Sequence, residues 1–321
     1  MNRAKGRPRP NGKLRDVGED RLIAQWLRQL SPGKDVVAGP GDDCAVVRIR
    51  GRRNWLLLKT DCVVERIHFA SNARPAEIGW KAMVRTLSDF AGMSGLPRFA
   101  LVTLILPATK PVRWTNQLYG GLNAAAEEFG TAIVGGETSA TRGPAVISVA
   151  AVGEVEPKRC VRRSGGRAGD RLFVTGRLGG SIRGKHLRFR PRIAEARWLT
   201  EHFSIHAMMD LSDGLGADLP RLASASGVGF ELQESTIPRA RGCSIEEAIN
   251  DGEDYELLFA VSSADAMGLE RKWSRKFPDL PLTMIGRLTR NSSPNDESLG
   301  LAQKIENGKS LGGYQHFQKR G

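Results

Sequence analysis

Five short acidic segments stand out for the residues beside them. Gly39-Pro40-Gly41-Asp42-Asp43 precedes an apolar run, Thr60-Asp61 ends one, and Ser88-Asp89 lies on a helical pattern, away from its apolar stripe. Gly135-Gly136-Glu137-Thr138 ends another run, and Asp210-Leu211-Ser212-Asp213-Gly214 spans a strand end and a helix start. Singly, each has a plain reading, because Asp and Ser cap helices and make turns. Together they offer more. Acids placed where backbone elements end converge on one rim if the fold unites them, and clustered carboxylates need cations to hold them. Oxygen donors without histidine or thiolate favour magnesium or manganese over zinc. Several such cations are the usual counter-charge for a polyphosphate. Carboxylate–magnesium chemistry on a nucleotide is therefore the sharper reading.

Phosphate loops of familiar kinds are weak or absent. Residues 179–186 read G-x-x-x-x-G-K-H after an expected strand, but His186 stands where a hydroxyl should meet magnesium, so the stretch is not taken as a P-loop. There is no G-x-G-x-x-G, no G-x-S-x-G and no protein-kinase signature. Arg162-Arg163-Ser164-Gly165 reads equally as a phosphate clamp or as a solvated charge run. His68 suits either the rim or the core, and Gly252-Glu253-Asp254-Tyr255-Glu256 either a turn or a substrate pocket.

The elements that position these segments follow from periodicity. Residues 20–30 and 77–93 show apolar positions at i, i+3, i+4 steps and read as helices, as do 114–129 and 193–201, with another starting at Ser212. Short apolar runs bounded by Gly, Asp and Asn read as strands at 45–49, 55–58, 99–106, 132–134 and 145–152. Further strands are expected at 172–175, 207–210, 228–232, 255–261 and 283–288. The chain turns basic and glycine-rich over 156–170, which is read as a join. The result is an α+β chain of two comparable halves: a basic tail (1–19), an N-terminal domain (20–155) and a C-terminal domain (156–321).

The totals agree. At 321 residues, 40% hydrophobic and 26% charged, the chain has room for two cores. No apolar run approaches the ~18–20 residues of a membrane helix, and none follows the basic N-terminus as in a secretory signal. Cys44, Cys62, Cys160 and Cys243 are scattered, without a C-x-x-C pair, which suits free thiols in a reducing cytoplasm. The net charge of +13 owes part to residues 1–15, which carry six cations and no acid. That stretch lacks the interleaved aromatics of a single-strand binder and reads as a solvated tail, with no nucleic-acid partner expected.

GPGDDCAVV, LLKTDCVVERIHF, GWKAMVRTLSDFAGMSGLP, VGGETSATRGP, RSGGRAGDRLFVTG, MMDLSDGLGADL, GEDYELLFAV and the terminal GGYQHF resemble, in order, the motifs of the thiamine-monophosphate kinase family, over nearly the whole chain from about Asp20. The resemblance implies an aminoimidazole ribonucleotide synthetase-like fold, with N-terminal sheets joining two copies in a dimer barrel and a C-terminal α/β sandwich. It implies ATP held between the domains by several Mg2+ ions, with thiamine monophosphate as the acceptor. Asp43, Thr60, Asp61, Asp89, Glu137, Asp210 and Asp213 match metal ligands; Gly136, Glu137, Arg163 and Ser212 match nucleotide contacts; His68, Glu253 and Tyr314 match the acceptor pocket. Four departures stand out: Glu137 replaces an aspartate, Arg66 a glycine, Gly180 an aspartate of GDS, and Asp251 the first glycine of GGED. Lys59 also falls where the family often has serine. The implied reaction is direct in-line transfer giving thiamine diphosphate. Rival readings are a related ATP-dependent enzyme with another substrate and a catalytically impaired nucleotide-binding homologue.

Overall fold

A computed structural model describes residues 13–31, 33–291 and 303–305. The chain begins with helices α1 (Leu14–Val17) and α2 (Glu19–Leu27), then strands β1 (Val36–Ala38), β2 (Ala45–Val47) and β3 (Trp55–Val64). Helix α3 (Pro75–Gly92), β4 (Leu96–Pro107), α4 (Val112–Glu128), β5 (Ala132–Thr141) and β6 (Val146–Val155) complete the first half. Its sheet has the order β1-β2-β3-β6-β4-β5, antiparallel except for the β4–β5 pair.

The second half holds β7 (Arg171–Thr175), α5 (Ile193–His202), β8 (Ile205–Asp210), α6 (Leu215–Ser226), β9 (Gly229–Leu232) and α7 (Ile245–Asn250). It continues with β10 (Leu257–Val261), α8 (Ser263–Lys276), β11 (Leu282–Thr289) and β12 (Gln303–Ile305). The second sheet runs β12-β9-β11-β7-β10-β8. This is the two-domain α+β arrangement expected. The basic segment 1–12 and Tyr314 lie outside the described residues. Among those described, no helix is long and apolar enough to cross a membrane.

Helix α3 is the axis of the molecule. Proline occupies its first turn, where the missing N–H costs nothing. Met83, Val84, Leu87 and Phe90 are fully buried, each worth ~1.5–3 kcal/mol of apolar burial. It crosses α4 at very short range: a Cβ on Gly79 would stand 1.9 Å from the Leu118 carbonyl, and one on Gly121 1.8 Å from that of Ala76. Its other flank packs on α5, β8 and β10 of the second half. Ser88 and Asp89, expected on a face away from the apolar stripe, do lie off it, but they are buried too, between β3 of the first half and β8 of the second.

Most element limits shift by a few residues from expectation, and three of the shifts bear on the site. Thr60-Asp61 lies inside β3 rather than at its end, because β6 pairs along all ten residues, to Val64↔Val146. Residues 135–138 likewise fall within β5, held by β4 through Leu101↔Gly135 and Thr103↔Glu137. Helix α6 starts at Leu215, not Ser212, since Gly214 at φ 98° is not helical.

Candidate active site

Strand alternation decides which residues of β3 face the interior. Leu57, Lys59, Asp61 and Val63 turn toward α3, whereas Leu58, Thr60 and Cys62 turn to the opposite, outer face, where Thr60 is exposed. From α3, Asp89 rises to meet Lys59, whose Nζ donates to Asp89 Oδ1 at 2.6 Å. Asp43 arrives from the loop before β2 and Asp210 from the end of β8. The carboxylates of Asp43, Asp89 and Asp210 all lie within 4.8 Å of one another, and all three are buried. Ser88 Oγ donates to Asp210 Oδ2 at 2.6 Å. Arg163 lays Nε and Nη2 on Asp43 Oδ1 at 2.9 and 2.5 Å, and its backbone N–H donates to Asp42 Oδ1 at 2.7 Å.

Such a group repels itself. Burial pushes Asp89 well above the usual carboxylate range, against the pull of Lys59, with Asp210, Asp61 and Asp43 adding repulsion. Burial, then the Asp43 charge, raises Asp210 to about 7. The donor set fits magnesium: oxygens only, with Asp43 Oδ2 buried and lacking a hydrogen-bond partner among the described residues. Gly92 keeps the space beside that oxygen open, since a Cβ there would come within 2.1 Å of it.

The cluster borders a cleft of about 810 Å3 between the halves. Asp61, Asp213, Ser212 and Arg163 line it, as do Ile23 of α2 and Ala217 and Pro220 of α6. Asp213 is held by Arg221 Nη1 at 2.5 Å, and that nitrogen also reaches Asp218 at 2.8 Å. The N-terminus of α6 opens beside these groups, a position where N–H groups and the helix dipole favour an anion.

The GEDYE segment is zipped to the DLSDG turn: Glu253 N donates to Ser212 O (2.7 Å) and Tyr255 N to Leu211 O (2.8 Å). This presents Glu253 to Lys81, which is fully buried on α3. Lys81 Nζ also donates to the His68 carbonyl at 2.6 Å, so the two acceptor-pocket candidates meet on one ammonium. His186 Nδ1 lies 2.7 Å from Lys81 Nζ and 3.0 Å from Glu253. Burial would raise Glu253, yet His186 and Lys81 outweigh it and hold the carboxyl at about 2. Burial pulls Lys81 down to about 8. His186 and Lys185 thus serve side-chain networks, Lys185 through Glu256 at 2.9 Å, consistent with the rejection of a P-loop.

The structure therefore gathers Asp43, Asp61, Asp89, Asp210, Asp213, Arg163 and Ser212 around one cleft, with His68 and Glu253 beside it. It does not bring Thr60, Gly136 or Glu137 there within one chain. Thr60 faces outward, and Glu137 is exposed on the edge strand β5, paired with Thr103. Gly136 has a packing reason, because a Cβ would stand 1.8 Å from the Val102 carbonyl. Sequence reasoning missed Lys81 and Arg85, whose Nε donates to Asp61 Oδ2 at 2.9 Å. Their spacing from Asp89 at steps of four was the available signal.

Two of the four positions at which the resemblance implies a different residue meet. Asp251 Oδ2 accepts from Gly180 N at 2.8 Å, and Gly180 adopts φ 68°, with Cys243 Sγ 2.6 Å from where its Cβ would be. The Asp251 carboxylate thus stands against the backbone at 180, where the resemblance implies an aspartate.

Comparison with known proteins identifies the family and the fold. Residues 41–155 match the N-terminal domain of the AIR synthase related proteins and residues 160–293 their C-terminal domain. The chain is 36% identical over 271 residues to the thiamine-monophosphate kinase of Rhodopirellula baltica, covering 79% of this chain and 84% of that one. It is 33% identical over 306 residues to the enzyme of that name from Aquifex aeolicus, covering 86% and 93%. A solved structure, AaThiL complexed with AMPPCP and TMP, superposes with a TM-score of 0.79 at 32% identity, covering 96% of this chain and all (100%) of that one.

Proposed function

This chain belongs to the thiamine-monophosphate kinase family, and we propose that it passes the γ-phosphoryl group of ATP to thiamine monophosphate, giving thiamine diphosphate and ADP. The observation that carries the reading is the buried union of Asp43, Asp89 and Asp210 beside the interdomain cleft. Its support from relatives is the AMPPCP and TMP complex of a chain with the same fold.

Asp43, Asp89 and Asp210, with Asp61 and Asp213 along the same cleft, would hold magnesium. Bound there, the ions would neutralise the polyphosphate and so reduce repulsion between two anions. The chain's own groups do the rest. Arg163 and Lys59 counter part of the cluster's charge, and the α6 N-terminus turns N–H groups toward the cleft. Lys81 fixes the His68 backbone and the Glu253 carboxylate as one wall of the acceptor pocket. The attacking atom is an acceptor phosphate oxygen, already anionic. It forms a bond to the γ-phosphorus as the bond to the β-bridging oxygen breaks, so no strong base and no covalent enzyme intermediate are required.

The outer face of the first sheet suits pairing with a second copy. Leu58, Phe99, Leu101 and Val134 are exposed there around a shallow groove of about 390 Å3, an apolar patch of the kind that marks an interface. Glu137 and Thr60 stand on that same face.

Asp89→Ala and Asp210→Asn test the proposal through ADP release at saturating magnesium. Each should lower turnover by ~10²–10³-fold or more, the scale of removing a transition-state electrostatic contact. Near-normal rates in folded variants would contradict the metal-cluster account.

A further inference from the structure

Lys81, Arg85 and Asp89 lie at i, i+4 and i+8, one above another along a single face of α3. The two ends of this ladder have different duties. Asp89 enters the carboxylate cluster with Asp43 and Asp210, and Lys81 gathers the His68 carbonyl, Glu253 and His186. Arg85 occupies the rung between them. Its Nε is anchored on Asp61 Oδ2 at 2.9 Å, on the cluster side, while Nη1 is 3.9 Å from Glu253, beyond hydrogen-bond range, on the acceptor side. The guanidinium is therefore at the junction of the two half-sites, and it lines the cleft.

The other cations bordering the cleft are committed elsewhere. Lys59 is spent on Asp89, Arg163 presents its Nε–Nη2 edge to Asp43, and Arg221 bridges Asp213 and Asp218. Arg85 alone of these four keeps both terminal nitrogens without a hydrogen bond among the described residues. Tyr255, whose ring is stacked on Phe189 at 3.9 Å, also lines the cleft and feels the Arg85 charge, and its hydroxyl has no partner among the described residues.

We propose that Arg85 is a catalytic residue: the guanidinium edge opposite Nε, which makes no hydrogen bond among the described residues, binds the equatorial oxygens of the phosphoryl group in flight between the donor nucleotide and the acceptor phosphate. The inference rests on the kinase reading above and adds the residue that serves the transfer itself. A planar fork matches two phosphate oxygens at once, and its pull grows as charge gathers on the three equatorial oxygens. No proton moves in this role. The bond from the γ-phosphorus to ADP breaks, the bond to the acceptor oxygen forms, and Arg85 stays protonated throughout. Anchoring Nε on Asp61 fixes the fork before substrate arrives, so no ordering is left for the moment of reaction.

The test compares wild type with Arg85→Ala, Arg85→Lys and Arg85→Gln. Steady-state kinetics would use ATP and thiamine monophosphate, binding of magnesium–nucleotide would be followed by calorimetry, and guanidinium chloride would be added at millimolar concentration for rescue. The expected result is a ~10³–10⁵-fold loss of kcat in Arg85→Ala, with nucleotide binding within a few-fold of wild type. Arg85→Lys should be intermediate, and added guanidinium should restore part of the rate in Arg85→Ala but not in Arg85→Gln. A kcat within threefold of wild type overturns the inference. So does a defect confined to metal or nucleotide binding that saturation repairs, which would make Arg85 only a counter-charge for Asp61. If the Ala variant does not fold, Arg85→Lys and Arg85→Gln decide the matter by the same kinetic and binding measurements. Wild type that turns over no thiamine monophosphate overturns the kinase reading instead, a result recognisable before any variant is made.

Discussion

Asp43 carries two opposite demands on one side chain: Oδ1 takes the Arg163 fork, while Oδ2 is buried without a hydrogen-bond partner among the described residues. Leaving such an oxygen unsatisfied is expensive, so the arrangement makes sense only with a ligand that removes the penalty. The acids at 43, 61, 89, 210 and 213 were legible because each lies in a short segment with glycine, a hydroxyl or another acid within three residues. Lys81 and Arg85 were not, because they lie inside a helical pattern and Lys81 finds its Glu253 partner 172 residues away. Arg66 shows a different kind of legibility. The resemblance implies a glycine at this position, and Arg66 adopts φ 68°, the left-handed region in which a side chain is strained. Arg66→Gly should therefore raise stability by ~0.5–1 kcal/mol, the strain relieved less the extra entropy of glycine, and chemical denaturation would show it. Glu253 makes a pH prediction. Its folded value of about 2 lies below its ordinary 4.5, so the fold favours the ionised form. That stabilisation is present above pH 4.5 and is lost as pH falls through 2. Glu253→Gln should then destabilise most near pH 7, with the gap to wild type narrowing from pH 4.5 downward in urea titrations.

Helix α3 and strand β3 carry most of the site, and their limits teach why element ends were misread. The apolar run of β3 stops at Leu58, and only pairing with β6 reveals that Lys59, Thr60 and Asp61 continue the strand. Once alternation is imposed, Asp61 faces α3 and Thr60 faces away, a division no local pattern announced. On α3 the periodicity did locate the helix, but Ser88 meets Asp210 of the second domain and Asp89 is enclosed by Lys59 and Asp43 of the first together with Asp210, contacts that sequence distance conceals. Two glycines separate site from scaffold. Gly92→Ala would press a methyl against Asp43 Oδ2, with an expected loss of ~1–3 kcal/mol and weakened magnesium-dependent nucleotide binding. Gly120→Ala, on α4 with nothing within 4 Å of the added carbon, should stabilise by ~0.5–1 kcal/mol and leave binding unchanged. Thermal melts and nucleotide titrations of the two variants check both halves of this contrast.

The two sheets cooperate across a cleft that neither forms alone: Asp43, Asp61 and Asp89 come from the first half, Asp210, Asp213 and Glu253 from the second. The alternation of short strands and helices read from sequence therefore announced two α+β halves, but not how they face each other. The first sheet's exposed apolar face points to a further level of assembly. Pairing of two copies through that patch is part of the proposal, and Leu101→Asp, which places a charge within it, should then lower the mass seen in light scattering while leaving magnesium-dependent nucleotide binding unchanged. The central claim, that these two halves together perform an ATP-dependent transfer to thiamine monophosphate, is tested most directly by product analysis. Purified protein is incubated with ATP, magnesium and thiamine monophosphate, and the thiamine phosphates are separated by chromatography. The account predicts thiamine diphosphate formed in equal amount to ADP, and no product once EDTA is added. Absence of thiamine diphosphate from folded protein that still binds magnesium–ATP would contradict it.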